Sequence, residues 1–81
     1  MDYVIAFDST QQAIRTEMLL DYAGIDIDTM PTPKEITAGC SISIGIRGED
    51  LPQVAGILRR ERVEIRGIYF KSPEGYVTIA W

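Results

Sequence analysis

Five consecutive apolar residues, Tyr3-Val4-Ile5-Ala6-Phe7, stand near the start of the chain and set the strongest constraint on its fold. A strand with one wet face alternates apolar and polar residues, whereas an unbroken run of β-formers needs cover on both faces. The run therefore predicts a central strand with the rest of the chain built around it. In 81 residues that structure has few staples available. One cysteine, Cys40, cannot close an internal disulfide, and the absence of histidine removes the usual zinc donor sets. Stability must come from apolar burial in one domain spanning residues 1–81, and a hydrophobic content of 46% suffices for that.

Ser9 and Gln12 have capping-box spacing and start a helix that runs to about Ala23, where Gly24 supplies a left-handed stop. Ala13, Thr16, Leu20 and Ala23 make its slim core face. Ile14, Met18 and Tyr22 form a second stripe, which is either partly covered by a neighbouring segment or free to contact a partner. Ile25 to Met30 alternates and reads as a strand, ended by Pro31-Thr32-Pro33. Lys34 to Gly39 is a loop, or at most one helical turn. Cys40 to Ile46 alternates again, with Cys40 on the parity of Ile42, Ile44 and Ile46.

Gly48-Glu49-Asp50-Leu51-Pro52 starts a second helix, with acidic residues and proline in its first turn. Leu51, Val54, Ala55 and Leu58 form its buried stripe. Glu64 to Phe70 is a strand anchored by Ile65, Ile68 and Phe70, Ser72 to Gly75 a turn, and Tyr76 to Trp81 a returning strand. The fold class is α+β. The order predicts a ferredoxin-like βαββαβ two-layer sandwich with an extra C-terminal strand. Both helices then cover one face of the sheet, and the other is left to solvent or to a partner.

The net charge of −4 argues against a nucleic-acid ligand. Arg47, Arg59, Arg60, Arg62 and Arg66 are nevertheless five of the eight basic residues. They form either a solvated helix end or a docking patch for an acidic partner. No leader opens the chain and no run is long enough for a membrane helix, so the expected location is the cytoplasm, where a lone cysteine stays reduced.

Without histidine, Ser-His-Asp and Cys-His catalysis are excluded within this chain. Asp26 and Asp28 share one strand face but read as solvated, so no metal site is expected. Gly45-Ile46-Arg47-Gly48 lacks the lysine and the helix of a phosphate loop. The remaining candidate is the Cys40 thiol. Lys34 and the amides around Gly39 could favour its anion, and Glu35 would oppose it. Its inward parity fits a small core hydrophobe, and its place after a loop containing proline, threonine and glycine fits a reactive group.

Pro31-Thr32-Pro33-Lys34-Glu35-Ile36, followed three residues later by Cys40, resembles the signature of a family of small bacterial selenium/sulfur carrier-like proteins. Phe7-Asp8-Ser9-Thr10, Ala23-Gly24-Ile25, Glu49-Asp50-Leu51 and Gly67-Ile68-Tyr69 extend the resemblance from residue 3 to about residue 70. Ser41 stands where the family often has glycine, and the segment from Lys71 to Trp81 lies beyond its usual end. The resemblance implies a carrier or accessory protein rather than a turnover enzyme. Cys40 would accept sulfane sulfur or selenium and pass it on, with no cofactor. Lys34, Pro31, Thr32, Pro33, Gly39 and Ser41 would form the surrounding docking element. The implied partner is a protein donor such as a cysteine desulfurase or a selenocysteine lyase.

A second reading stays open. Leu19 to Met30 also resembles the helix–glycine–strand passage of ACT-type regulatory domains, although their glycine-bearing loop before the first helix is missing. Such a module would dimerise, through the open sheet face or the Ile14/Met18/Tyr22 stripe, and bind a small metabolite.

Overall fold

The computed structural model describes residues 1–81. Its elements are β1 (Tyr3–Ala6), α1 (Thr10–Tyr22), β2 (Asp28–Pro31), β3 (Ile42–Ile46), a 3₁₀ turn (Gly48–Asp50), α2 (Leu51–Arg60), β4 (Gly67–Ser72) and β5 (Gly75–Ile79). The sheet order is β2-β3-β1-β4-β5, and every neighbouring pair is antiparallel. This is the ferredoxin-like α+β arrangement with β5 added beside β4. The opening apolar run lies at its centre, with Val4, Ile5, Ala6 and Phe7 all buried.

The odd residues of β1 face the helices. Ile5 and Phe7 join Ala13, Leu20, Ile44, Ile46, Val54, Leu58 and Ile68 in the main core. Ile57 is buried there too, next to the expected α2 stripe. The even residues Val4 and Ala6 form a smaller cluster with Ile36, flanked by Met30, Ala38, Tyr69 and Tyr76. The second face of the sheet is therefore not simply left to solvent or to a partner. The chain between β2 and β3 folds over it and supplies the cover that β1 requires.

α1 starts on Ser9, whose Oγ accepts from Gln12 N at 3.5 Å. Only that half of a capping box forms, because Gln12 Oε1 accepts instead from Glu64 N at 3.2 Å. At the other end Gly24 takes φ 75°, Gly24 N donates to Asp21 O, and Ile25 N donates to Leu20 O. This is a Schellman motif. It explains why the second strand starts at Asp28 and not at Ile25: Ile25 is held by the helix end and buried against the core. Asp26 consequently leaves the strand face it was expected to share with Asp28, and pairs with Arg47 at 3.5 Å. Ala23, expected in the core, is exposed at the helix cap.

α2 ends the same way. Arg62 N donates to Arg59 O and Val63 N to Leu58 O, with Arg62 at φ 53°. This motif delays the next strand to Gly67, although Ile65 still packs on the core. Pro31 closes β2 from within the ladder. Proline is tolerated there because β2 is an edge strand.

Candidate functional site

Cys40 takes the place of one rung of the sheet. The β1–β3 register pairs Tyr3 with Ile46 and Ile5 with Ile44. Continued, it would put Ile42 opposite Phe7. Instead Cys40 N donates to Phe7 O at 2.9 Å, and Ile42 N donates to Cys40 Sγ at 3.4 Å. The strand starts only at Ile42 because Cys40 takes up both ladder groups, one with its backbone and one with its sulfur. The thiol is thus an accepting polar atom as well as a member of the main core.

The second polar neighbour of the sulfur is the Thr10 hydroxyl at 3.4 Å. Thr10 is the first residue of α1 and is itself exposed. Cys40 is only 3% exposed, so its sulfur touches an exposed residue while itself staying buried. None of the surface clefts is lined by Cys40; one flanks Thr10, bounded by Asp8, Ser9, Gln11, Gln12, Glu64 and Ile65.

Side-chain clamps hold the approach to Cys40. Asp8 Oδ1 accepts from Gly39 N at 2.8 Å, while its other oxygen meets Arg66 Nη1 at 3.5 Å. Thr32 Oγ1 donates to Cys40 O at 3.0 Å and lies 2.7 Å from Ser43 Oγ. The Thr32 hydroxyl has one proton, so Ser43 is the donor in that second bond. Ser43 is fully buried, and this is how its hydroxyl is satisfied. Thr32 N donates to Ser41 O at 2.8 Å, which brings the two ends of the loop together.

Of the residues marked by sequence, Thr32, Gly39 and Ser41 therefore surround Cys40 through backbone and hydroxyl bonds. Pro31 ends β2, and Pro33 opens a turn closed by Ile36 N donating to Pro33 O at 2.9 Å. Lys34 lies in that turn, exposed, with no hydrogen bond or ion pair to Cys40. The turn anchors Ile36 on the second face of the sheet, whereas Cys40 belongs to the helix-side core. Two residues that sequence marked only for the family resemblance, and not as part of the site, also matter: Thr10, which touches the sulfur, and Asp8, which holds Gly39. Their sequence signal was the Phe7-Asp8-Ser9-Thr10 segment and the helix cap within it.

The arginine-rich stretch is largely paired locally. Arg47 meets Asp26, Glu49 and Asp50; Arg60 meets Glu61; Arg66 meets Asp8. The Ile14/Met18/Tyr22 stripe is exposed at 49%, 66% and 95%, so no neighbouring segment covers it. No helix is long and apolar enough to cross a membrane.

A family model described as "Putative Se/S carrier protein-like" matches residues 2–70. No curated protein and no solved structure matches the chain.

Proposed function

The chain belongs to the "Putative Se/S carrier protein-like" family, and from that membership we propose that Cys40 is the atom-carrying group of a sulfur or selenium carrier. The observation that carries the reading is the environment of the sulfur: one cysteine, buried, held between the Ile42 N–H and the hydroxyl of the exposed Thr10. Both neighbours can donate to a sulfur anion, which is the form that attacks.

In the transfer, the Cys40 thiolate attacks the terminal sulfur of a donor persulfide. The bond to the outer sulfur forms on Cys40, the sulfur–sulfur bond of the donor breaks, and the donor leaves as its thiolate. The sulfane sulfur changes hands with no net oxidation and no cofactor. Selenium follows the same path from a perselenide. A protein donor of the cysteine desulfurase or selenocysteine lyase type suits this step, and an acceptor thiolate reverses it.

Cys40 is only 3% exposed, so its sulfur cannot be attacked in place. The carrier reading therefore includes an opening of the 31–41 segment for loading and unloading. Closure shields the persulfide from reducing thiols. The test is incubation with a persulfide-bearing desulfurase followed by intact-mass measurement. The protein should gain one sulfur on Cys40, and Cys40→Ser should gain none. A wild-type protein that stays unmodified, while its denatured form is labelled, overturns the reading.

A further inference from the structure

We propose that β5 is a self-association edge, along which two copies of this chain pair antiparallel about a two-fold axis and join their sheets. The inference is independent of the carrier reading.

The sheet has two free edges, β2 and β5. An edge strand presents unpaired N–H and C=O groups, and monomeric proteins blunt such edges with proline, charge or shortness. β2 has all three: it is four residues long, ends in Pro31, contains Asp28 and is flanked by Asp26. β5 is one residue longer and has neither proline nor a charged side chain within it; Pro73 and Glu74 lie in the turn before it. From Gly75 to Trp81 the chain carries no charged side chain and no proline, and it is rich in the β-formers Tyr76, Val77, Thr78 and Ile79. Val77 is 53% exposed, and Thr78 and Ala80 are exposed as well. The family match ends at residue 70, so this edge is supplied by the segment beyond it.

A second copy is the fitting occupant because the charges at the two ends of β5 are opposite. Glu74 precedes the strand, exposed and without an ion-pair partner. At the far end the Arg59 guanidinium lies 5.3 Å over the Trp81 ring, with no carboxylate paired to it. Antiparallel pairing centred on Val77 sets Gly75 opposite the partner's Ile79. Each Glu74 then approaches the end where the partner's Arg59 lies. The contact is self-complementary, as a two-fold interface requires. The other exposed apolar surface, the α1 stripe, lacks this property. Glu17 and Asp21 border it, neither has an ion-pair partner, and a two-fold contact would bring like charges together. Cys40 lies at the β1–β3 end of the fold, so edge pairing leaves it free.

Sedimentation velocity of the full chain over a concentration series tests this. Wild type should form a dimer. Val77→Lys, which installs a common edge-protecting residue, should be monomeric with an unchanged far-ultraviolet spectrum. Glu74→Arg and Arg59→Glu should each weaken the dimer by about two- to fivefold, as for an exposed ion pair, and the double swap should restore it. A wild type that is monomeric throughout overturns the proposal. So does a dimer broken by Met18→Glu but not by Val77→Lys. If Val77→Lys fails to fold, the charge swap decides, and failure of the double variant to restore the dimer overturns it.

Discussion

The Thr10 hydroxyl meets the Cys40 sulfur at 3.4 Å across 30 positions of sequence. The contact joins three parts of the fold: the start of α1, the end of the loop from β2, and the point where Cys40 takes over a rung between β1 and β3. A cysteine used only as a small hydrophobe needs neither an N–H nor a hydroxyl at its sulfur.

Removing the Thr10 hydroxyl should loosen the closed state around Cys40 without unfolding the protein. A hydrogen bond between neutral groups contributes about 0.5–1.5 kcal/mol, and sulfur is a weak partner, so the lower end applies. Thr10→Val should therefore raise the Cys40 alkylation rate about two- to threefold, because the thiol reacts through its open state, while Thr10→Ser stays near wild type. The rate constant with iodoacetamide, compared at equal thermal stability, is the measurement. Equal rates for both variants would reduce Thr10 to a space-filling role.

Opening of the loop should be governed by Thr32. Its hydroxyl ties Cys40 O to Ser43 Oγ, and Ser43 is wholly buried. Thr32→Val strands the Ser43 hydroxyl at a cost of about 1–3 kcal/mol. A buried thiol reacts through its open state, so labelling should speed up as the closed state weakens. Adding Ser43→Ala should cost less than the sum of the two single changes, because no stranded hydroxyl then remains. Strict additivity in urea melts, or unchanged labelling in Thr32→Val, would count against this clamp.

Local signals made most of the fold legible and part of the site. The run from Tyr3 to Phe7 announced the central strand, and the alternation of Tyr76 to Trp81 announced β5, because burial writes its own period into the sequence. Strand starts were less legible. Ile25 sits just after a helix and reads as strand, but it is the second residue past the helix cap and is held by a bond back to Leu20; Val63 is held to Leu58 in the same way, and the strand expected from Glu64 starts only at Gly67. The cover over Val4 and Ala6 was not legible either. Ile36 is an isolated apolar residue in a polar loop, and only the path of that loop brings it across the sheet. The site was half visible: residue types marked Cys40 and its loop, whereas Thr10 and Asp8 come to it through tertiary structure.

Gly39 should tolerate no side chain. A Cβ there would lie 2.8 Å from Asp8 O, a backbone atom that cannot rotate away. Gly39→Ala must therefore shift the segment that donates Gly39 N to Asp8 and Cys40 N to Phe7. The expected loss is about 1–3 kcal/mol, typical of overpacking, together with faster labelling of Cys40. Gly56→Ala is the control: it lies in α2 with nothing near its Cβ and should stabilise by about 0.5–1 kcal/mol. Guanidinium melts that rank the two variants the other way would refute the packing argument.

The matching ends of the two helices predict a stabilising substitution. At the end of α1 the left-handed position belongs to Gly24 at φ 75°, and at the end of α2 the same position belongs to Arg62 at φ 53°. A side chain in this conformation costs about 1–2 kcal/mol, which glycine avoids. Part of that gain is offset by the greater freedom of glycine in the unfolded chain. Arg62→Gly should therefore raise stability by about 1 kcal/mol in urea melts. Arg62→Ala keeps the strain while removing the charge, so it should change little. Gly24→Ala meets no steric neighbour, and should still lose stability from backbone strain alone. If Arg62→Gly and Arg62→Ala melt alike, the α2 cap is not strained and the likeness of the two helix ends has no energetic content.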